Sequence, residues 1–153
     1  MLVSAQICHC SSGLNGATVC AHVKIYFFKK KYTIKSNDRY TFPTETKFAN
    51  IALARDVYTR VTRATLRCGT TTCCYFATIH ADATMLFADI LSELGQRAFV
   101  GKVCMDRNAP PTYVEASAEV SVADSERVIK HIHALARPTV CPVIPNCFAT
   151  VTK

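Results

Sequence analysis

At 153 residues the chain is long enough for one ordinary domain with a real core, but too short for a closed eight-stranded β/α barrel, which takes about 250 residues. Its formal charge of +7 is uneven: residues 1–39 hold six Lys or Arg against one acid, and residues 40–153 hold twelve against ten, so basicity belongs to the leader and gives the remainder no claim on nucleic acid or anionic membrane. Nine cysteines, an odd number, with no apolar span of 18 residues and no signal-peptide pattern, argue against a secreted disulfide scaffold and against a membrane helix, and point to a cytosolic chain with free thiols.

Residues 1–39 follow no period. Scattered Cys, Gly and Ser precede an apolar run at residues 23–28, which could form a single strand, and then Lys29-Lys30-Lys31, which we read as a solvated polar run. A boundary is expected near Arg39, ahead of a domain over residues 40–153. From residue 46 onward helical apolar spacing alternates with short β-branched runs, the pattern of an α/β fold built from β/α units around parallel strands. A helix over residues 47–67 puts Ile51, Ala54, Tyr58, Val61 and Thr65 on one stripe, with Gly69 as its C-terminal cap. Residues 70–80, rich in Thr, Cys, Tyr, Phe and Ile, read as a strand covered on both faces. Asp82 is positioned to cap a helix over 83–94, whose inner stripe is Leu86, Ile90 and Leu94 and whose end is Gly95. A strand over 97–105 follows. A third helix over 121–136 turns Val122, Ile129, Ile132 and Ala136 inward, and Pro138 stops it before a last strand at 139–144. Cys73, Cys74, Cys104 and Cys141 lie inside apolar runs, where a free thiol behaves as a small hydrophobe.

The densest chemistry lies in QRAFVGKVCMDRNAP, residues 96–110. Residues 98–104 are apolar apart from Gly101 and Lys102, then Met105, Asp106, Arg107 and Asn108 follow before Ala109-Pro110-Pro111 ends regular structure. Strand ends of this kind face the ligand in alternating β/α proteins. Asp106 and Asn108 there offer a carboxylate and an amide to a ligand edge that both donates and accepts, or they cap the loop. His80 ends the preceding strand and either lines the same rim or serves as a helix-entry residue. His131-Ile132-His133 imitates a two-imidazole metal motif, but on a helix positions i and i+2 point about 200° apart, so one ion cannot reach both. Cys8-x-Cys10 with Cys20-x-His22 supplies four soft donors if two extended pieces meet, at a spacing that matches no common zinc finger; otherwise these are free residues of the leader.

Tyr40-Thr41-Phe42-Pro43, Gly69-Thr70-Thr71-Thr72 and residues 96–110 together closely resemble the guanine deaminase family of zinc-dependent amidohydrolases, over about residues 40–149. The resemblance implies a (β/α)₈ barrel in which zinc, held by histidines and an aspartate, activates the water that deaminates guanine to xanthine and ammonia, while a glutamate shuttles protons. It places residues 40–43 after the family's first strand, 69–82 on its second, 96–110 on its third and 142–149 on its fourth. The family's first strand carries His-x-His, and residues 1–39 hold no such pair. Where the fourth strand ends in Pro-Arg-Phe, with the arginine and aromatic gripping guanine, Asn146, Cys147 and Phe148 stand here, so the guanidinium fork is replaced by a thiol.

These readings lead us to expect a partial barrel of three β/α units after an atypical leader, with Met105, Asp106, Asn108, Cys147 and Phe148 as substrate-facing residues. Zinc belongs to the parent family, and none is expected on this chain, which is therefore expected to be inactive alone. Guanine is the implied substrate of the whole enzyme, with no nucleic acid or membrane partner and with self-association through open strand edges. The rival reading is a non-enzymatic α/β module that binds a small ligand at Met105, Asp106, Asn108 and Phe148.

Overall fold

A computed structural model describes residues 4–12, 18–25, 40–106 and 109–145, the first two stretches as backbone strands alone. Its elements in chain order are β1 (Ser4–Ser12), β2 (Thr18–Ile25), the single turn α1 (Phe42–Glu45) continuing into a 3-10 turn (Thr46–Ala49), α2 (Ile51–Arg67), β3 (Thr72–Phe76), α3 (Ala81–Leu94), β4 (Arg97–Gly101), α4 (Ala118–Ala134) and β5 (Val140–Pro142). They form a sheet in the order β2-β1-β3-β4-β5. The three units read from the sequence supply its parallel part, with β4 central: Cys74 stands beside Phe99, and Phe99 beside Cys141. The strand expected at 23–28 falls partly in β2, which pairs with β1; β1 in turn runs antiparallel to β3, with Ala5 opposite Tyr75. Residues 26–28 of that expectation lie outside the described residues.

Side-chain alternation decides which face is covered. Cys73, Tyr75, Ala98, Val100 and Val140 are buried beneath the helices, while Cys74, Phe99 and Cys141 on the opposite face are only half-buried. Phe87 of α3 is the hub of the helical layer: Tyr58 of α2 stacks on it at 4.1 Å and Tyr75 meets it edge-on at 4.8 Å. Beneath the strand starts, Gln96 ties the layers together. Its amide donates to the Thr70 carbonyl (2.8 Å) and to Thr65 Oγ1 (3.1 Å), and its Oε1 accepts from the Tyr75 hydroxyl (2.7 Å). A satisfied buried network of this kind rigidifies one end of a sheet.

Several boundaries differ from the expected ones, each for a local reason. The helix expected from 47 begins at Ile51, because Asn50 takes an extended conformation and its side chain accepts from Ala52 N and Leu53 N at 3.0 and 3.2 Å. Ile51 is consequently exposed rather than on the inner stripe. Strands expected over 70–80, 97–105 and 139–144 are 72–76, 97–101 and 140–142. Their outer residues turn into the loops described below. α3 starts at Ala81 with His80 at its cap position, so Asp82 is not the cap; it sits in the first turn and pairs with Arg127 at 2.7 Å. α4 begins at Ala118 because Ser117 caps it, accepting from Val120 N. Its buried stripe is Ser121, Val128 and Ile132; Val122 is 59% exposed, and Ala136 lies past the helix end at a φ of 49°. Among the described residues no helix is long and apolar enough to cross a membrane.

Candidate functional site

The C-terminal ends of β3, β4 and β5 open on one side of the sheet, where residues 77–80, 102–106 and 143–145 leave their strands. At the exit of β4 the lysine that interrupts the apolar run is fully buried. Lys102 Nζ donates to Glu115 Oε1, to the Val103 carbonyl (3.0 Å) and to Ser121 Oγ (3.3 Å). The other carboxylate oxygen of Glu115 accepts from Met105 N (2.7 Å) and Ser121 Oγ (2.8 Å), and Glu115 N donates to the Met105 carbonyl (2.8 Å). Both polar groups of the Met105 backbone are thus gripped by one residue. This explains why Ser121, and not Val122, faces inward on α4: its hydroxyl completes the clamp. A buried ion pair is tolerated only when its remaining donors and acceptors are met, and here they are.

The loop from Val103 to Glu115 folds back over the mouth. Val103, Met105 and Tyr113 form a second apolar cluster, joined by Phe42, Phe76, Ile79 and Ala109. Phe42 lies 5.3 Å from the Tyr113 ring. The Tyr113 hydroxyl accepts from Ile79 N (3.2 Å) and donates to Glu45 Oε2 (2.5 Å), while Thr46 Oγ1 reaches the Thr112 carbonyl (3.2 Å). Burial pushes the Glu45 carboxyl up to about 7, against the opposing effect of its bond from Tyr113. The Tyr113 hydroxyl is pushed up as well, first by burial and then by the Glu45 charge, so it stays protonated.

The sequence-predicted residues are distributed unevenly over this site. Met105 is buried in the second cluster, so its side chain packs, and Asp106 follows it, partly exposed, at the turn. Asn108, Cys147 and Phe148 lie outside the described residues. His80 is a helix-entry residue: its carbonyl accepts from Thr84 N and Thr84 Oγ1, both at 3.0 Å. Its imidazole also sits edge-on to Tyr113, with centroids 6.3 Å apart, and burial holds it below the usual histidine value. The helical position of His131 and His133 separates them, as geometry required. His131 Nε2 meets Asp89 Oδ1 at 2.7 Å, and His133 is exposed. Cys8 stands opposite His22 and Cys10 opposite Cys20 in the β1–β2 register, with side chains outside the described residues. Among the described residues no group of three or more His, Cys, Asp or Glu could hold a metal ion.

Sequence reasoning missed Glu45, Tyr113, Lys102 and Glu115. The one available signal was Lys102 itself, since a lysine within a buried strand requires a carboxylate partner.

An amidohydrolase family model matches residues 17–143. The chain is a member of the amidohydrolase family. Within it, this amidohydrolase chain is 47% identical over 116 residues to guanine deaminase of Dictyostelium discoideum, a match covering 76% of the chain and 26% of that protein. It is 51% identical over 109 residues to guanine deaminase of Homo sapiens, covering 68% and 24%. A crystal structure of guanine deaminase from C. acetobutylicum with bound guanine in the active site superposes with a TM-score of 0.71 at 35% identity, over 74% of this chain and 27% of that one. The chain therefore spans about a quarter of the length of the curated relatives it matches.

Proposed function

We propose that residues 40–145 are the early wall of a guanine deaminase barrel, and that the whole protein hydrolyses guanine to xanthine and ammonia in the cytoplasm. The observation that carries this reading is identity near one half to guanine deaminases over 76% and 68% of a chain whose strands β3, β4 and β5 pair in parallel. The clamp on Met105 supports it, because it holds Asp106 at the strand end where such barrels meet their ligands. The zinc that activates water in this family has no donor set among the described residues, so we assign them no step of the hydrolysis beyond shaping the wall.

Two experiments test the assignment. Human guanine deaminase carrying residues 40–145 in place of its matching segment is expected to keep releasing ammonia from guanine; a folded chimera with no turnover would sink the reading. The purified chain alone, supplied with zinc, is expected to release none, and metal-dependent ammonia release from guanine would overturn the view that the donors lie elsewhere.

The outer edge of β5 carries no partner strand among the described residues, and an open parallel edge invites pairing with another chain. In small-angle scattering we expect species larger than one chain; a sharp monomer at all concentrations would count against edge association.

A further inference from the structure

The β1–β2 ribbon carries a group of soft donors that the parallel wall does not use. In its antiparallel register Cys8 stands opposite His22 and Cys10 opposite Cys20. Residues i and i+2 of a strand share a face, and so do directly opposed residues, so all four fall on one face of the ribbon. The single-residue spacing that matches no common zinc finger is thus the spacing a strand requires. Opposed Cα atoms lie about 4.5–5.5 Å apart, and alternate ones along a strand about 6.8 Å. Such a patch is compact enough for one ion with bonds of about 2.3 Å to sulfur and about 2.0 Å to nitrogen. Because Gln6 pairs with Cys74, this face continues the side of the sheet opposite the helical layer, where Phe99 and Cys141 stand. Residues 4–12 and 18–25 contain no Asp or Glu. Hard cations that want carboxylate oxygens therefore find none here, whereas thiolates with an imidazole suit zinc.

We propose that Cys8, Cys10, Cys20 and His22 hold one zinc ion as a structural staple across β1 and β2. It is distinct from the water-activating zinc of the family, which histidines and an aspartate hold, and it puts zinc on a chain for which none was expected. Four protein donors close a tetrahedron and leave no position for water, so this ion ties strands together and takes no part in hydrolysis. Each cysteine releases its thiol proton to solvent as its sulfur binds. Three thiolates and a neutral imidazole around Zn²⁺ leave a single negative charge, which Lys24, opposite Gln6 at the next position on the same face, offsets. The staple meets a local need. The register of β1 with β3 covers Ser4–Gln6, so among the described residues the stretch that carries the donors is two strands wide, and a two-stranded ribbon is marginal in water. An ion bound by the folded ribbon alone adds its binding free energy to the ribbon's stability.

The test uses the full chain, purified reduced and metal-free, then titrated with Zn²⁺ or with Co²⁺ as its coloured surrogate. One equivalent of Zn²⁺ is expected to bind and to survive buffer exchange. Co²⁺ is expected to give thiolate charge-transfer and tetrahedral ligand-field bands that saturate at one equivalent. Cys10→Ser and Cys20→Ser should each weaken Zn²⁺ binding more than about 100-fold, beyond the cost of losing an outer-shell partner. His9→Ala, on the opposite face of β1, should bind as the unmutated chain does. Missing thiolate bands, unchanged affinity in both cysteine variants, or an equal loss in His9→Ala overturns the proposal. Should the cysteine variants not fold, alkylation of the unmutated chain decides the matter: Zn²⁺ is expected to shield Cys8, Cys10 and Cys20 from a maleimide while the exposed Cys68 still reacts. Equal reaction of all four with and without Zn²⁺ overturns the staple, as does a Cys10–Cys20 disulfide that persists in reductant.

Discussion

Replacing Glu115 by Gln is expected to lower the unfolding free energy by about 3–5 kcal/mol, the usual cost of leaving one partner of a buried ion pair uncompensated. The carboxylate serves Lys102 on one oxygen and both Met105 N and Ser121 Oγ on the other. An amide can satisfy only one side, because its NH₂ would confront the Met105 N–H or the Lys102 ammonium. Lys102→Met should cost about as much, since it strands the Glu115 charge. The pair Lys102→Met with Glu115→Leu should recover only part of the loss, because it removes both charges together but leaves Met105 N without its acceptor. Urea denaturation with unchanged m reads the difference directly. A loss below about 1 kcal/mol in both single variants, the range of exposed pairs, would show that the clamp is open to solvent and does not hold the β4 exit.

Gly101→Ala is expected to cost about 3 kcal/mol, the upper end for a forced insertion into a packed site. An added Cβ would lie 2.1 Å from the Val143 carbonyl oxygen and 2.5 Å from Pro145 Cδ. Neither is the far end of a flexible side chain, so β5 would have to move away from β4, where Val143 N bonds the Val100 carbonyl at 2.9 Å. Gly69→Ala is the natural control. Its Cβ would meet nothing within 4 Å, and only the left-handed φ of 79° opposes it, at about 1 kcal/mol. Thermal or urea unfolding that ranks the two variants equally would mean that the β4–β5 approach is looser than the distances state.

The parallel units were legible because their signals are local. Gly69 and Gly95 were read as helix ends, and both take the left-handed conformation, at φ 79° and 72°. The β-branched and aromatic runs after them became β3 and β4. The exit of β4 was also legible, from the polar cluster that ends its apolar run. What escaped was the set of polar residues chosen by partners far away in sequence. Counting apolar residues on α4 favours Val122, whereas Ser121 is buried because Glu115 and Lys102 need its hydroxyl. Asn50 reads as an ordinary polar residue inside a long helical window, yet its backbone N–H closes the 3-10 turn and its side chain starts α2. Glu45 and Tyr113 are 68 residues apart, and no period or short motif joins them. Hydrophobic spacing thus locates the layers, while the mouth of the sheet is organised by hydrogen bonds that only the tertiary fold brings together.

The ladder Cys74–Phe99–Cys141 also governs oxidation. Neighbouring strands lie about 4.8 Å apart, so two thiols separated by an intervening strand sit roughly 9.6 Å apart at their Cα atoms, beyond the 7 Å or so that a disulfide can bridge. The sheet prevents a disulfide within this pair by geometry alone, and an oxidative cross-link at either sulfur must be made to some other thiol.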